Sequence, residues 1–233
     1  MKKILIVITS HAALLDTDTK TGMWLGEFTD PYYAFKDAGL KMTLASPKGG
    51  KPPVDPMSEL TENITDTNRR FNDDQEAQQA FANTHMLSDM KAEDFDAIFF
   101  PGGHGPMFDL ATDQTSGTLI CDFYRQHKPI AAVCHGPAAL LEAARQLPEI
   151  LQNKNVTAFS NTEEALVFKK DHIPFLLEDE LKRYGAKYHS STIPFTATVQ
   201  TDGLLITGQN PASSNGVAEA LINKLEEIPA AVV

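Results

Sequence analysis

Short apolar runs separated by long, mostly polar connections constrain this chain more than any other feature of it. Ile4 to Ile8, Met42 to Ala45, Ala97 to Phe100, Ile130 to Val133 and Val156 to Phe159 each have the length and continuous hydrophobicity of a strand covered on both faces. The connections between them are long enough to hold crossover helices, as parallel strands require. A sixth run, Leu204 to Thr207, follows the same pattern. The expected architecture is an α/β fold: a three-layer αβα sandwich around a mainly parallel sheet.

Helix signals fall in the gaps. Asp30 and Pro31 read as N-cap and first helical residue of a segment that stops at Gly39. Further helices are expected over Gln114 to Arg125, Pro137 to Arg145, Leu176 to Tyr184 and Asn215 to Glu227. The polar stretch Lys48 to Asp94, with Pro52, Pro53 and Pro56, is too long for an ordinary connection. It reads as a surface insertion with helix around Asp74 to Ala82, anchored by Phe71, Phe81, Met86 and Leu87. At 233 residues and 42% hydrophobic, the chain is expected to form one domain over 1–233 without disulfides or metals.

In open α/β sheets the ligand site lies beyond the carboxyl ends of the strands, so the residues that follow each run matter most. After the first run come Thr21, Gly22, Trp24 and Glu27; after the third, Pro101-Gly-Gly-His-Gly105; after the fourth, Cys134 and His135. The fifth is followed by Asn161, Glu163 and Glu164, and the sixth by Gly208-Gln209-Asn210-Pro211. A thiol, an imidazole, carboxylates and a glycine turn therefore converge on one edge.

Cys134 is the centre of that convergence. It stands where an apolar strand meets a small-residue helix, between Ala132 and Gly136, the geometry of a nucleophile elbow in which helical N–H groups favour thiolate. The alternative is an ordinary buried core cysteine. Gly103 N–H and His135 N–H are the expected oxyanion donors, although PGGHG also suits a plain tight turn. Glu27 is either a solvated helix-start residue or a desolvated acid that stays protonated and hydrogen-bonds the sulfur. Glu163 and Glu164 suit a helix N-terminus, and one of them can orient the His135 ring.

Composition excludes several classes. A net charge of −11 argues against nucleic-acid or anionic-membrane partners. Two cysteines, Cys121 and Cys134, are too few for a disulfide framework, and Met1 to Ile8 is too short for a signal peptide or membrane span, so a reducing cytoplasm is expected. His11, His85, His172 and His189 lack zinc-site spacing, and no P-loop or dinucleotide fingerprint is present, so neither metal nor nucleotide cofactor is expected.

At AAVCHGP, FPGGHGP and TGQNPASS together, the chain resembles the ThiJ/PfpI family of the class I glutamine amidotransferase-like superfamily. KTG-x4-E, FSNTEEA and GQNPASS are most similar to its glutathione-independent glyoxalase branch, also known as small heat-inducible chaperone-like proteins. The resemblance implies a flavodoxin-like sheet, Cys134 as nucleophile with His135 beside it, Glu27 supporting the cysteine, Gly103 in the oxyanion site and Glu164 as the acid paired with the histidine. It also implies that the segment 48–94 shapes the pocket. Trp24, His104 and Asn210, which follow strands on the same edge, are the expected substrate-contacting residues. The implied activity is that of a glyoxalase III-type lyase (D-lactate dehydratase): methylglyoxal and related 2-oxoaldehydes become 2-hydroxy acids through a cysteine hemithioacetal and an enediol, with His135 or Glu27 as the base. The alternatives are a stress-response chaperone or protein deglycase acting on damaged proteins, a redox sensor, and last a cysteine peptidase or amidase. A homodimer is expected.

Overall fold

The computed structural model describes residues 1–228. In chain order its elements are β1 (Lys3–Val7), α1 (Leu25–Asp37), β2 (Lys41–Ser46), α2 (Asp66–Asp73), α3 (Gln75–Ala82), β3 (His85–Met86), β4 (Ala97–Phe100), α4 (Gln114–Arg125), β5 (Ile130–Val133), α5 (Ala139–Gln146), β6 (Asn155–Val156), α6 (Asn161–Leu166), α7 (Leu177–Arg183), β7 (Lys187–Tyr188), β8 (Val199–Asp202), β9 (Leu205–Gly208) and α8 (Ser214–Glu227). The central sheet has the order β3-β2-β1-β4-β5-β9-β8, parallel except for the antiparallel edge pair β8 and β9. Among the described residues no helix is long and apolar enough to cross a membrane.

The near-continuous hydrophobicity of β1, β4 and β5 follows from burial on both faces. Residues alternate sides with the period of two. Leu5, Val7, Ile98, Phe100, Ile130 and Ala132 pack toward Leu119, Ile120 and Phe123 of α4 and Leu140, Leu141 and Ala143 of α5. Ile4, Ile6, Phe99, Ala131 and Val133 pack on the other side, toward Phe28, Tyr32 and Phe35 of α1 and Val217, Leu221 and Leu225 of α8. Each fully buried aliphatic or aromatic side chain contributes on the order of 1.5–3 kcal/mol.

Three expectations need correction. Val156 to Phe159 is not a strand of the central sheet: β9 occupies the place beside β5, pairing Ile130 with Leu205, and only Asn155–Val156 forms a strand, with β7. The chain from Thr157 onward instead crosses the carboxyl edge, where Phe159 N–H donates to the Cys134 carbonyl at 2.9 Å. Helix α1 begins at Leu25, not at Asp30, and Pro31 lies inside it, so the helical bond to the Glu27 carbonyl is not made. Its start is held by long-range contact, Trp24 N–H to Gly102 O at 3.3 Å, which no local cap signals.

The segment 48–94 is also more integrated than a surface insertion. His85–Met86 extends the central sheet beyond β2, and α2 and α3 press Phe71 and Phe81 onto Phe28 of α1, ring centroids 5.7 and 5.2 Å apart. Phe71, Phe81 and Leu87 anchor it as expected, whereas Met86, on the edge strand, stays half exposed. Asp74 is the N-cap of α3, its carboxylate accepting from Ala77 N–H.

Candidate active site

β5 ends at Val133, and the next residue adopts a left-handed conformation, φ 59° for Cys134. That strain is rare for a non-glycine residue and persists only when the surroundings impose it. Here both backbone polar groups are fixed: Cys134 N–H donates to Gly208 O and its carbonyl accepts from Phe159 N–H, each at 2.9 Å. Small neighbours make the turn possible. A Cβ on Gly136 would stand 2.3 Å from the Phe100 carbonyl oxygen, and one on Gly102 would stand 2.6 Å from that of Val133.

The sulfur is nearly sealed, 3% of the residue being exposed, yet it lines a cavity of about 670 Å³ together with Glu27, Gly103, His104 and His135. Cys134 Sγ is 3.3 Å from His135 Nδ1. On its far side the same ring meets Glu164, Nε2 to Oε2 at 2.7 Å, and the other oxygen of Glu164 meets His104 Nε2 at 2.8 Å. The two imidazole rings lie 4.1 Å apart, and Phe159 packs against His135 at 4.6 Å.

Electrostatics assign protons to these groups. Burial opposes ionisation of Glu164, but the charge available on His135 and the hydrogen bonds from both rings outweigh it and hold its carboxyl well below the usual range. An ionised carboxylate only accepts hydrogen bonds, so both rings carry their proton on Nε2. Burial, and then the neighbouring His135, push His104 down to about 4, so that ring is neutral at physiological pH.

Glu27 reaches the elbow from the third residue of α1. Its Oε2 accepts from Gly102 N–H at 2.8 Å, while Oε1 is sealed with the Cys134 sulfur as the polar group it faces. Complete burial raises its carboxyl to about 8, so it is protonated at neutral pH. Burial also pushes the Cys134 thiol up, an effect that a charged Glu27 would add to and that the Gly103 N–H offsets. Neutral Glu27 is therefore the state in which a thiolate forms at least cost.

The adjacent carboxylates Glu163 and Glu164 have separate tasks. Glu163 completes a capping box with Ser160 at the start of α6 and accepts from Phe195 N–H and Asn210 Nδ2, both at 2.8 Å. Glu164 alone meets His135. Trp24, His104 and Asn210 all line the cavity, but the Asn210 carboxamide is already engaged by Glu163, Thr196 O and Ser213. From the segment 48–94, Met57, Glu62, Asn63 and Thr65 line it too. Thr21 is not among the residues that line the cavity and donates to Asp55 at 2.9 Å. Cys121 is buried and donates to Ala143 O, a packing role.

Phe159, Phe195 and Lys169 line the cavity without a local sequence signal. His104, His135 and Glu164 are the grouping among the described residues whose donor atoms, all within 4.8 Å of one another, could hold a cation. The Nε2 of each imidazole already faces a Glu164 oxygen at hydrogen-bond distance, a contact an ion would have to displace.

A doubly covered, mainly parallel sheet that presents a strained cysteine beside a histidine and two buried carboxylates defines an α/β protein of the cysteine-elbow class. Residues 19–224 match the DJ-1/PfpI family, and the chain belongs to that family. It is 29% identical to glutathione-independent glyoxalase HSP31 of Saccharomyces cerevisiae over 97% of this chain and 98% of that protein. Rapid Encystment Protein 24 kDa of Francisella tularensis superposes with a TM-score of 0.91 at 38% identity, over 97% of this chain and 99% of that one. Glyoxalase III of Candida albicans does so with a TM-score of 0.85 at 27% identity, over 96% and 97% of the two chains.

Proposed function

We propose that this protein is a glutathione-independent glyoxalase that converts methylglyoxal and related 2-oxoaldehydes to 2-hydroxy acids. The observation that carries the reading is the Cys134–His135–Glu164 chain in the cavity, with protonated Glu27 beside the sulfur. Full-length similarity to glyoxalases supports it.

In the first step the Cys134 sulfur bonds to the aldehyde carbon as its proton passes to His135 Nδ1. The carbonyl π pair moves to oxygen, where the Gly103 and His135 backbone N–H groups stabilise it, and transfer of the thiol proton from His135 Nδ1 to that oxygen gives the hemithioacetal. A base then takes the proton from C1, forming an enediol, and returning a proton to C2 leaves the thioester of a 2-hydroxy acid. Water releases lactate. No redox partner is needed, because C1 is oxidised as C2 is reduced. Trp24, His104 and the segment 48–94 shape the space around the aldehyde. A reducing cytoplasm is the compartment in which Cys134 would remain a thiol.

The test is lactate formation from methylglyoxal without glutathione, run beside Cys134→Ser. Multiple turnovers that fall more than about 100-fold in the variant are expected, since a hydroxyl is the poorer nucleophile. No lactate from a thiol that still alkylates with iodoacetamide would shift the reading to protein repair, chaperone action or redox sensing.

A further inference from the structure

The proposed reaction needs two proton carriers, one for the thiol and one for the C1 proton, and the geometry identifies only one of them through contact with sulfur. Glu27 is poorly placed as the second: Gly102 N–H occupies Oε2, and Oε1 faces the sulfur. His135 has taken the thiol proton through Nδ1, and its Nε2 proton is bound by Glu164. Once His135 has passed that proton to the hemithioacetal oxygen, its Nδ1 serves to move it between the two substrate oxygens, so neither group is free to take the proton from C1.

His104 is. Its Nε2 is tied to Glu164 Oε1 at 2.8 Å, which leaves the lone pair on Nδ1. That nitrogen makes no hydrogen bond among the described residues and is not one of the sealed, unpartnered atoms, so it opens onto the cavity that His104 lines. Its ring lies 4.1 Å from that of His135 and therefore flanks the thiol's reaction zone. The ring is neutral at physiological pH, so that lone pair is available to accept a proton. Glu164 thus anchors two imidazoles in the same tautomer, one aimed at sulfur and one at the cavity.

We propose that His104 is a second catalytic base of the glyoxalase reaction, moving the carbon-bound proton between C1 and C2. This rests on the function proposed above. His104 Nδ1 takes the C1 proton of the hemithioacetal, the C–H electron pair forms the C1–C2 double bond, and the C2 carbonyl π pair moves to its oxygen, which takes the C1 hydroxyl's proton relayed through His135 Nδ1. In the return step the electron pair left on the C1 oxygen forms the thioester carbonyl, and the C1–C2 π pair takes the proton from His104 at C2. Protons and electrons balance, and both rings return neutral.

The experiment compares wild type and His104→Gln with methylglyoxal carrying hydrogen or deuterium at C1, and follows iodoacetamide alkylation of Cys134. Expected in the variant are a kcat loss of roughly 100-fold or more, a KM within about threefold, a larger deuterium effect on kcat and an alkylation rate within about twofold. In His104→Ala, added imidazole restores part of the rate. Activity of the Gln variant within about twofold of wild type overturns the proposal. So does a kcat loss with an unchanged isotope effect and no rescue of the Ala variant, or one that tracks slower alkylation, since His104 would then act by positioning Cys134 and His135. Absence of lactate from wild type instead removes the glyoxalase reading itself, and this proposal with it.

Discussion

Glu164 and His135 meet at 2.7 Å, Oε2 to Nε2, although they are 29 residues apart in the chain. The contact exists because the segment after β6 is drawn across the carboxyl edge of the sheet and capped into α6 directly above the elbow. It fixes which nitrogen of His135 faces sulfur. Through its other oxygen, Glu164 makes the same choice for His104.

Glu164→Gln tests that arrangement. An amide offers one accepting oxygen and one donating NH2, so one of the two imidazoles must turn or change tautomer. A loss of roughly 100-fold in kcat/KM for methylglyoxal is expected, with a melting temperature close to wild type. Steady-state kinetics and a thermal melt check both parts, and an active variant would remove Glu164 from the mechanism.

Glu163→Ala should show the reverse balance. Its carboxylate caps α6 and satisfies Phe195 N–H and Asn210 Nδ2, so its loss strands buried donors at a cost of about 2–4 kcal/mol. The melting temperature should fall by roughly 5–15 °C. A melt within about 2 °C of wild type contradicts the structural assignment.

This pair also shows where reading the sequence stops. Period and burial made β4, β5 and α4 legible to the residue, because runs such as AIFF and IAAV have few other ways to be covered. The cysteine elbow was legible for the same reason. The start of α1 was not, since it depends on Gly102 across the sheet rather than on a local cap. Val156 to Phe159 has the hydrophobicity of a strand but loses its place beside β5 to β9, a competition that no window of one run contains. Strand β8, with the sequence VQTD at a half-solvated edge, lacks an apolar signature altogether. Two adjacent glutamates at a helix start look alike until the fold decides which faces His135. Phe195, held over the cavity by its backbone N–H, has no sequence signal of that role.

The glycine turn offers a sharper steric test. Gly103 sits at φ 82°, and a Cβ there would stand 2.3 Å from Gly22 O and 2.5 Å from Trp24 N. Gly103→Ala must therefore shift backbone that the oxyanion donor belongs to. A drop in kcat of roughly 100-fold to 1,000-fold is expected, the range for losing one such donor. Gly39 is the control: its φ is 74°, but nothing lies within 4 Å of an added Cβ. Gly39→Ala should cost on the order of 1–2 kcal/mol and leave turnover unchanged.

Glu27 ties catalysis to stability through pH. Its carboxyl is raised from 4.5 to about 8 by burial, so below pH 4.5 it is protonated in both folded and unfolded chains and favours neither. Between 4.5 and about 8 the unfolded chain releases this proton and the folded one keeps it. The folded state then binds the extra proton, and this group lowers stability as pH rises, by roughly 1.4 kcal/mol per pH unit. Above about 8 both forms are ionised and the slope from this residue ends. Glu27→Gln keeps the shape and a donor toward sulfur but cannot ionise. Urea denaturation from pH 5 to 9 should show the variant losing less stability across that window than wild type, and alkylation of its Cys134 should lose the change in rate that accompanies Glu27 ionisation. Parallel stability profiles for the two proteins would mean that Glu27 is already ionised in the folded state, and the protonated acid beside the thiol would have to be abandoned.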